Sequence, residues 1–109
     1  MGRDRNHNDV VGFARAIPGG VVIDWAHLSG ATRQTPGGIG DFAWRFFVWP
    51  EGDFLHFEIK PEEERTSLTP AELAMQERRG LIVVTTGEEA MRAMNEHSVR
   101  LGLRPRVAR

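Results

Sequence analysis

The chain has 109 residues, 40% of them hydrophobic, which is enough for a single domain with its own core over residues 1–109. It contains no cysteine, which excludes disulfide bonds and thiolate metal sites and favours a reducing, cytoplasmic setting. The lack of a long apolar run argues against a membrane protein, and the formal net charge of −1 argues against a general polyanion-coating protein.

The first part of the chain predicts a helix, a strand and a long loop. Residues 6–17 carry apolar side chains at helical spacing, at Val10, Phe13, Ala14 and Ile17. Residues 21–28 are apolar on both sides of a strand, which favours a central position in its sheet. Residues 29–40 are polar and rich in glycine, so we expect a mobile loop there, and loops of this length are commonly functional.

The middle of the chain predicts a hairpin. Residues 41–49 and 54–60 form its strands, and residues 50–53 supply the turn. Period-two alternation places Leu55, Phe57 and Ile59 on one face of the second strand. The opposite face carries three polar side chains, those of His56, Glu58 and Lys60.

The last part of the chain predicts helix, strand and helix. Thr69 to Glu72 has the form of a capping box that opens a helix over residues 70–79, and Gly80 ends it. Residues 81–86 are typical of a buried strand, and the last helix opens at Thr86 with its apolar residues facing inward. The order αβββαβα predicts an α/β fold with a mixed four-stranded sheet flanked by helices. A right-handed crossover through the 70–79 helix would make the strands on either side of it parallel.

Asp41, Glu58 and Lys60 are the candidate catalytic residues. Asp41 stands at the start of one hairpin strand, and Glu58 and Lys60 share the polar face of the other. The two carboxylates and the backbone carbonyl of Ile59 are oxygen ligands of the kind that Mg²⁺ prefers. Lys60 is the only lysine beside thirteen arginines, which suggests a task that a guanidinium cannot perform. The alternative is an ordinary cross-strand ion pair on an exposed sheet face.

Gly40-Asp41 followed by Glu58-Ile59-Lys60 resembles the PD-(D/E)XK nuclease signature, with glycine where the signature has proline. The order of the elements that follow is similar to that of the VRR-NUC branch: a polar turn, a helix that opens with Thr-Pro, a glycine, an apolar strand and a helix. This similarity covers about residues 10–94. The resemblance implies a restriction-endonuclease-like core, Mg²⁺ or Mn²⁺ as cofactor, a homodimer, and cleavage of branched DNA such as four-way junctions. Stand-alone domains of this type are typically viral or bacterial, which implies the cytoplasm of a bacterial or phage-infected cell.

Besides Gly40, the chain departs from that family at two positions. Glu72 falls where the family usually has glutamine, with Gln76 as a less favoured substitute. The glutamate of the family's first helix has no counterpart here, and Asp9 is the nearest candidate for a further metal ligand. These departures also favour an alternative function, that of a catalytically weakened nuclease fold acting as a nucleic-acid- or protein-binding module or inhibitor.

Several other polar residues are candidates for accessory roles. His56 lies on the polar strand face, near the proposed metal or a phosphate, although a packing role is the more common one for histidine. Candidates for contact with the DNA backbone are Arg33, Arg78 and Arg79. Residues 101–109 form a basic tail that is able to contact phosphates or simply to be solvated.

Overall fold

The structure, a computed structural model, describes residues 6–25 and 40–103 and has the element order that the sequence predicts. The helices are α1 (His7–Arg15), α2 (Pro70–Arg79) and α3 (Gly87–Arg100), with a short 3₁₀ helix at Glu62–Glu64. The strands are β1 (Gly20–Asp24), β2 (Phe42–Phe46), β3 (Leu55–Ile59) and β4 (Ile82–Val84). Apart from Gly40, the predicted mobile loop lies outside the described residues, as does the tail beyond residue 103. Within the described ranges, no helix is long and apolar enough to cross a membrane.

The four strands form one mixed sheet in the order β1-β2-β3-β4. β1, β2 and β3 pair antiparallel, while β3 and β4 are parallel across the α2 crossover, which confirms that part of the prediction. The central position predicted for the first strand is wrong, because β1 is an edge strand. Among the strands of the described residues it pairs with β2 alone, and all five of its residues keep partial exposure. The strand ends at Asp24, and residues 26–28 of the predicted strand lie outside the described residues.

The core lies between one face of the sheet and the helices α1 and α3. Every residue of β2 is buried, and on β3 the apolar residues at alternate positions are buried while His56 and Glu58 are partly exposed, as the period-two pattern predicts. The indole of Trp44 donates a hydrogen bond to the Ala14 carbonyl at 3.2 Å, so β2 is fastened to the end of α1. This hydrogen bond holds the C-terminal end of α1 against the middle of β2.

Helix α2 lies along the polar side of β3 rather than on the core. None of its ten residues is buried. It begins with the predicted capping box, in which Thr69 Oγ1 accepts from the Glu72 N–H at 3.1 Å and Glu72 Oε1 accepts from the Thr69 N–H at 2.9 Å. Its first turn faces Lys60, and the charge of Arg79 at its end acts on His56. The helix therefore begins beside the polar face of β3.

Candidate active site

Glu58, Lys60 and Glu72 form a compact cluster at the end of β3. The Lys60 Nζ lies 3.8 Å from Glu58 Oε2 and 3.4 Å from Glu72 Oε1. The three side chains are only 12–13% exposed, so solvent screens their charges weakly. Lys60 is thus held between two carboxylates, one from the strand and one from the capping box of α2.

Asp41 joins this cluster from the start of β2. Its Oδ2 accepts a hydrogen bond from the Ile59 N–H at 2.7 Å, and its own N–H donates to the Phe57 carbonyl at 2.6 Å. The N–H and C=O of one strand residue point to the same side, so the Ile59 carbonyl faces the edge where Asp41 stands. The structure therefore places Asp41 beside the backbone of Ile59 and near enough to Glu58 for its charge to act on that carboxyl group.

Gly40, the residue before Asp41, explains one departure from the nuclease signature. Its φ is +100°, a value that proline cannot adopt because its ring holds φ near −65°. A Cβ at this position would stand 2.6 Å from the Phe57 carbonyl oxygen. Glycine is needed here so that the chain can approach β3 closely enough for Asp41 to reach Ile59.

The electrostatics of the cluster are dominated by crowded carboxylates. Burial raises the pKa of Glu58 to about 9, and the nearby charges of Asp41 and Glu72 add to the shift, against the opposing effect of Lys60. Burial acts on Glu72 in the same direction, but the Thr69 N–H and the Lys60 ammonium outweigh it and hold the pKa of Glu72 below its usual range. At neutral pH, Glu58 therefore keeps its proton and shares it in a hydrogen bond with Glu72.

The structure adds His7, a residue that the sequence reasoning did not select. His7 is 2% exposed, with its Nδ1 4.0 Å from Asp41 Oδ1 and its Nε2 3.5 Å from Asp24 Oδ1. Its sequence signal is helical spacing, because His7 precedes Val10 by three residues and Val11 by four and so shares their buried side. Asp24, at the end of β1, is the acidic residue that accompanies it.

Asp9, the candidate ligand from the first helix, is exposed on α1. Two residues of an α-helix correspond to a rotation of about 200°, so Asp9 and His7 point to opposite sides. Because His7 is the residue that faces Asp41, the helix presents an imidazole to the site where the sequence reasoning had placed Asp9.

The remaining candidates lie along α2 and β3. Gln76, Arg78 and Arg79 are exposed on α2, and Gln76 lies one turn after Glu72 on the same side of the helix. His56 is half-buried, and its burial and the charge of Arg79 lower its pKa, so it is neutral at pH 7. Arg33 lies outside the described residues.

The donor atoms suit a hard divalent cation, although they do not enclose one. In the described part of the chain, no group of three or more His, Asp or Glu side chains stands close enough together to hold a metal ion. Asp41, Glu58 and the Ile59 carbonyl offer two carboxylates and a carbonyl, a set that Mg²⁺ or Mn²⁺ completes with water. The pKa of Glu58 is raised first by burial and then by the charges of Asp41 and Glu72, and a bound divalent ion would oppose both effects by favouring the ionised carboxylate.

Comparisons with protein-family models, with curated proteins and with solved structures found no match. The resemblance to VRR-NUC nucleases thus rests on the site residues and the order of elements. The fold itself is α/β, with a mixed four-stranded sheet flanked by helices.

Proposed function

We propose that the protein is a metal-dependent nuclease of the PD-(D/E)XK type that hydrolyses phosphodiester bonds in structured or branched DNA. The observation that carries this proposal is the meeting of Asp41, Glu58 and Lys60 at the end of β3. A strand in a purely structural role gains nothing from two crowded carboxylates, because their repulsion and burial cost free energy. A bound cation would neutralise the repulsion between the carboxylates, and the cation would in turn bind a phosphate.

Asp41, Glu58 and the Ile59 carbonyl are the proposed ligands of Mg²⁺ or Mn²⁺. When bound, the ion supplies a water of lowered pKa and neutralises charge that develops on the phosphate. Lys60 is the proposed partner of the scissile phosphate and of the attacking water, as a compact ammonium with three N–H donors. Glu72 holds the Lys60 Nζ at 3.4 Å and so limits where that ammonium can point.

The proposal includes DNA as the substrate and a homodimer as the active form. A subunit of 109 residues has a small footprint, whereas a two-fold pair carries two hydrolytic sites for two strands. The exposed Arg78 and Arg79 at the end of α2 are the described candidates for contact with the DNA backbone. Sedimentation measures the dimer directly, and a monomer at every concentration would remove this part of the proposal.

The test is cleavage of a labelled four-way junction, a duplex and a single strand, each with Mg²⁺ and with Mn²⁺. We expect cleavage of the junction by the wild-type protein and its loss in Lys60→Ala. Arg92→Ala is the matched control, since it removes one positive charge from the exposed side of α3. Absence of cleavage of all three substrates with either ion would refute the proposal, as would equal cleavage by the Lys60→Ala protein.

A second candidate is a weakened nuclease fold that serves as a binding or inhibitory module. The observation that favours it is the pairing of Lys60 with two carboxylates, which restrains the ammonium that a phosphate would need. Divalent-ion titration separates the two candidates. A nuclease site should bind Mn²⁺ and lose affinity in Asp41→Ala, whereas a pure binding module should respond to neither the ion nor the substitution.

A further inference from the structure

Helix α3 carries alternating charges on the side that faces away from the core. Its apolar residues Ala90, Met91 and Met94 pack into the core. On the opposite side every fourth residue is exposed and charged, in the order acid, base, acid, base: Glu88, Arg92, Glu96 and Arg100. Residues four positions apart lie one above the other on a helix, so these side chains form a continuous ridge, the α3 charge row.

The α3 charge row is open to a partner. Among the described residues, the side chains of Glu88, Arg92 and Glu96 form no ion pair and no hydrogen bond. Exposed charges do pair elsewhere on this surface, where the Nη2 of Arg65 lies 2.9 Å from Glu89 Oε2. The charges of the row therefore remain available to oppositely charged groups of another molecule.

A groove runs beside the α3 charge row. Its other side is a second row of the same helix, made of Met91, Asn95 and Val99, and residues of both rows line one hollow on the surface. Val99 is 56% exposed although it is apolar. A groove between two rows of this spacing accepts the equivalent row of another helix in the most common class of helix packing.

The order of the charges selects a second copy of this chain as the partner. Two α3 helices related by a two-fold axis can pack antiparallel, and an axis level with Met94 sets Glu88 opposite Arg100 of the partner subunit. The same axis sets Arg92 opposite Glu96 of the partner subunit. Because the arrangement is symmetric, each pair occurs twice, and acid meets base at every contact. A parallel pair in register would instead set each charge against its own kind.

We infer that the α3 charge row is the interface of a homodimer. This inference rests on the homodimer that the proposed function includes. Besides the ion pairs, the packing would cover Val99 with the aliphatic stems of the arginines. It would also place the two candidate sites on the outer sides of the dimer, because α3 packs on one face of the sheet and Glu58 lies on the other. Each site, complete within one subunit, would then face its own arm of a branched DNA.

Charge-reversed variants test the interface in sedimentation experiments. Arg92→Glu sets like charges against each other at two contacts of the dimer, and Glu96→Arg does the same with the opposite sign. Each variant should therefore dissociate at least ~10-fold more readily than the wild-type protein. Arg92→Ala removes an attraction without adding a repulsion, so its dimer should be weakened less. Glu63→Arg is the matched control, because it reverses an exposed charge on the 3₁₀ helix, and it should stay a dimer.

A mixture of the two single variants gives the sharpest test. When Arg92→Glu pairs with Glu96→Arg, the two acquired charges face each other with opposite signs, and the two native charges do the same. An equimolar mixture should therefore recover the wild-type dimer, and so should the double variant that carries both substitutions in one chain. A mixture that stays monomeric, with each variant folded by circular dichroism, would overturn the inference.

Crosslinking and salt give independent measurements. The chain has no cysteine, and Asn95 lies next to the proposed axis, so Asn95→Cys should form a covalent dimer on mild oxidation. Ala74→Cys, at an exposed position of α2, should not. Raising the salt concentration from ~0.1 M to ~1 M should weaken the dimer, because the Debye length falls from about 10 Å to about 3 Å.

The outcomes separate this inference from the proposed function. A wild-type dimer that neither charge reversal weakens would refute the α3 interface and leave both the homodimer and the nuclease proposal standing. A wild-type protein that is monomeric at every concentration would refute the interface and the homodimer, while the cleavage test still decides the nuclease activity. If the reversed variants do not fold, Asn95→Cys decides, and its failure to crosslink more than Ala74→Cys would overturn the inference.

Discussion

Magnesium binding to the site should strengthen with pH, because Glu58 must lose a proton before its carboxylate can hold an ion. With a pKa of about 9, roughly 1% of Glu58 is ionised at pH 7, and the ionised fraction grows about tenfold per pH unit. The apparent affinity for Mg²⁺ should follow that fraction from about pH 6 to 8 and level off near the pKa. Proton competition thus weakens binding by about 100-fold at pH 7 relative to the plateau.

Calorimetry in two buffers of different ionisation enthalpy measures this competition. At pH 7, about one proton should leave the protein for each Mg²⁺ bound, since Glu58 is almost fully protonated in the free protein. Glu58→Gln is the matched control, because it keeps the shape of the side chain but has no proton to release. Its Mg²⁺ binding should be weak and nearly independent of pH.

Glu72→Gln tests the cause of the raised pKa. The substitution removes a neighbouring negative charge and the carboxylate that accepts the Glu58 proton, so the pKa of Glu58 should fall. The plateau of Mg²⁺ affinity should then be reached at a lower pH than in the wild-type protein. A wild-type affinity that stays constant between about pH 6 and 8, or binding without proton release, would refute this account.

Three further predictions concern stability and the lysine. Gly40→Ala should destabilise the fold by about 1–3 kcal/mol in urea unfolding, because the new Cβ meets the Phe57 carbonyl. Gly52→Ala is the control: its φ is also positive but its surroundings are open, so its loss of unfolding free energy should be smaller. Lys60→Arg should fail to restore the cleavage lost in Lys60→Ala, since the larger planar guanidinium pairs with the carboxylates through its fork and cannot act as a compact point charge toward phosphate and water. Near-wild-type cleavage by the arginine variant would contradict this. The free energy of unfolding of the metal-free protein should decrease from about pH 4.5 to 9 through Glu58, which binds its proton more tightly when folded, and thermal melts of Glu58→Gln should lack that component.

The parts of the fold that depend on local signals could be read from the sequence. The period-two pattern of β3 and the capping box of α2 depend on residues within a few positions of one another, and both are present in the structure. The capping box fixes Glu72 in the first turn of α2, and the fold brings that turn to Lys60. The place of β1 in the sheet depends on pairing with β2, eighteen or more residues away, and its own apolar pattern does not encode that pairing.

His7 shows why the rest of the site could not be predicted in the same way. Its spacing from Val10 and Val11 indicates burial, but nothing within α1 shows which groups it meets. Those groups are Asp24 and Asp41, which come from the ends of two strands and are brought to the helix only by the folded sheet. Asp9 is the more conspicuous acidic residue in the sequence, yet the helical rotation that buries His7 turns Asp9 toward solvent.

Glu72 adds a negative charge to the proposed metal site where the nuclease pattern has a neutral glutamine. With Glu58 ionised, the three carboxylates of Asp41, Glu58 and Glu72 against the one ammonium of Lys60 leave two negative charges, which a divalent ion would neutralise. A fourth carboxylate in this buried place, such as the first-helix glutamate of the nuclease pattern, would leave a third negative charge uncompensated and raise the cost of ionising Glu58 further. The lack of a glutamate on α1 and the presence of Glu72 on α2 therefore keep the charge of the proposed site matched to a divalent cation.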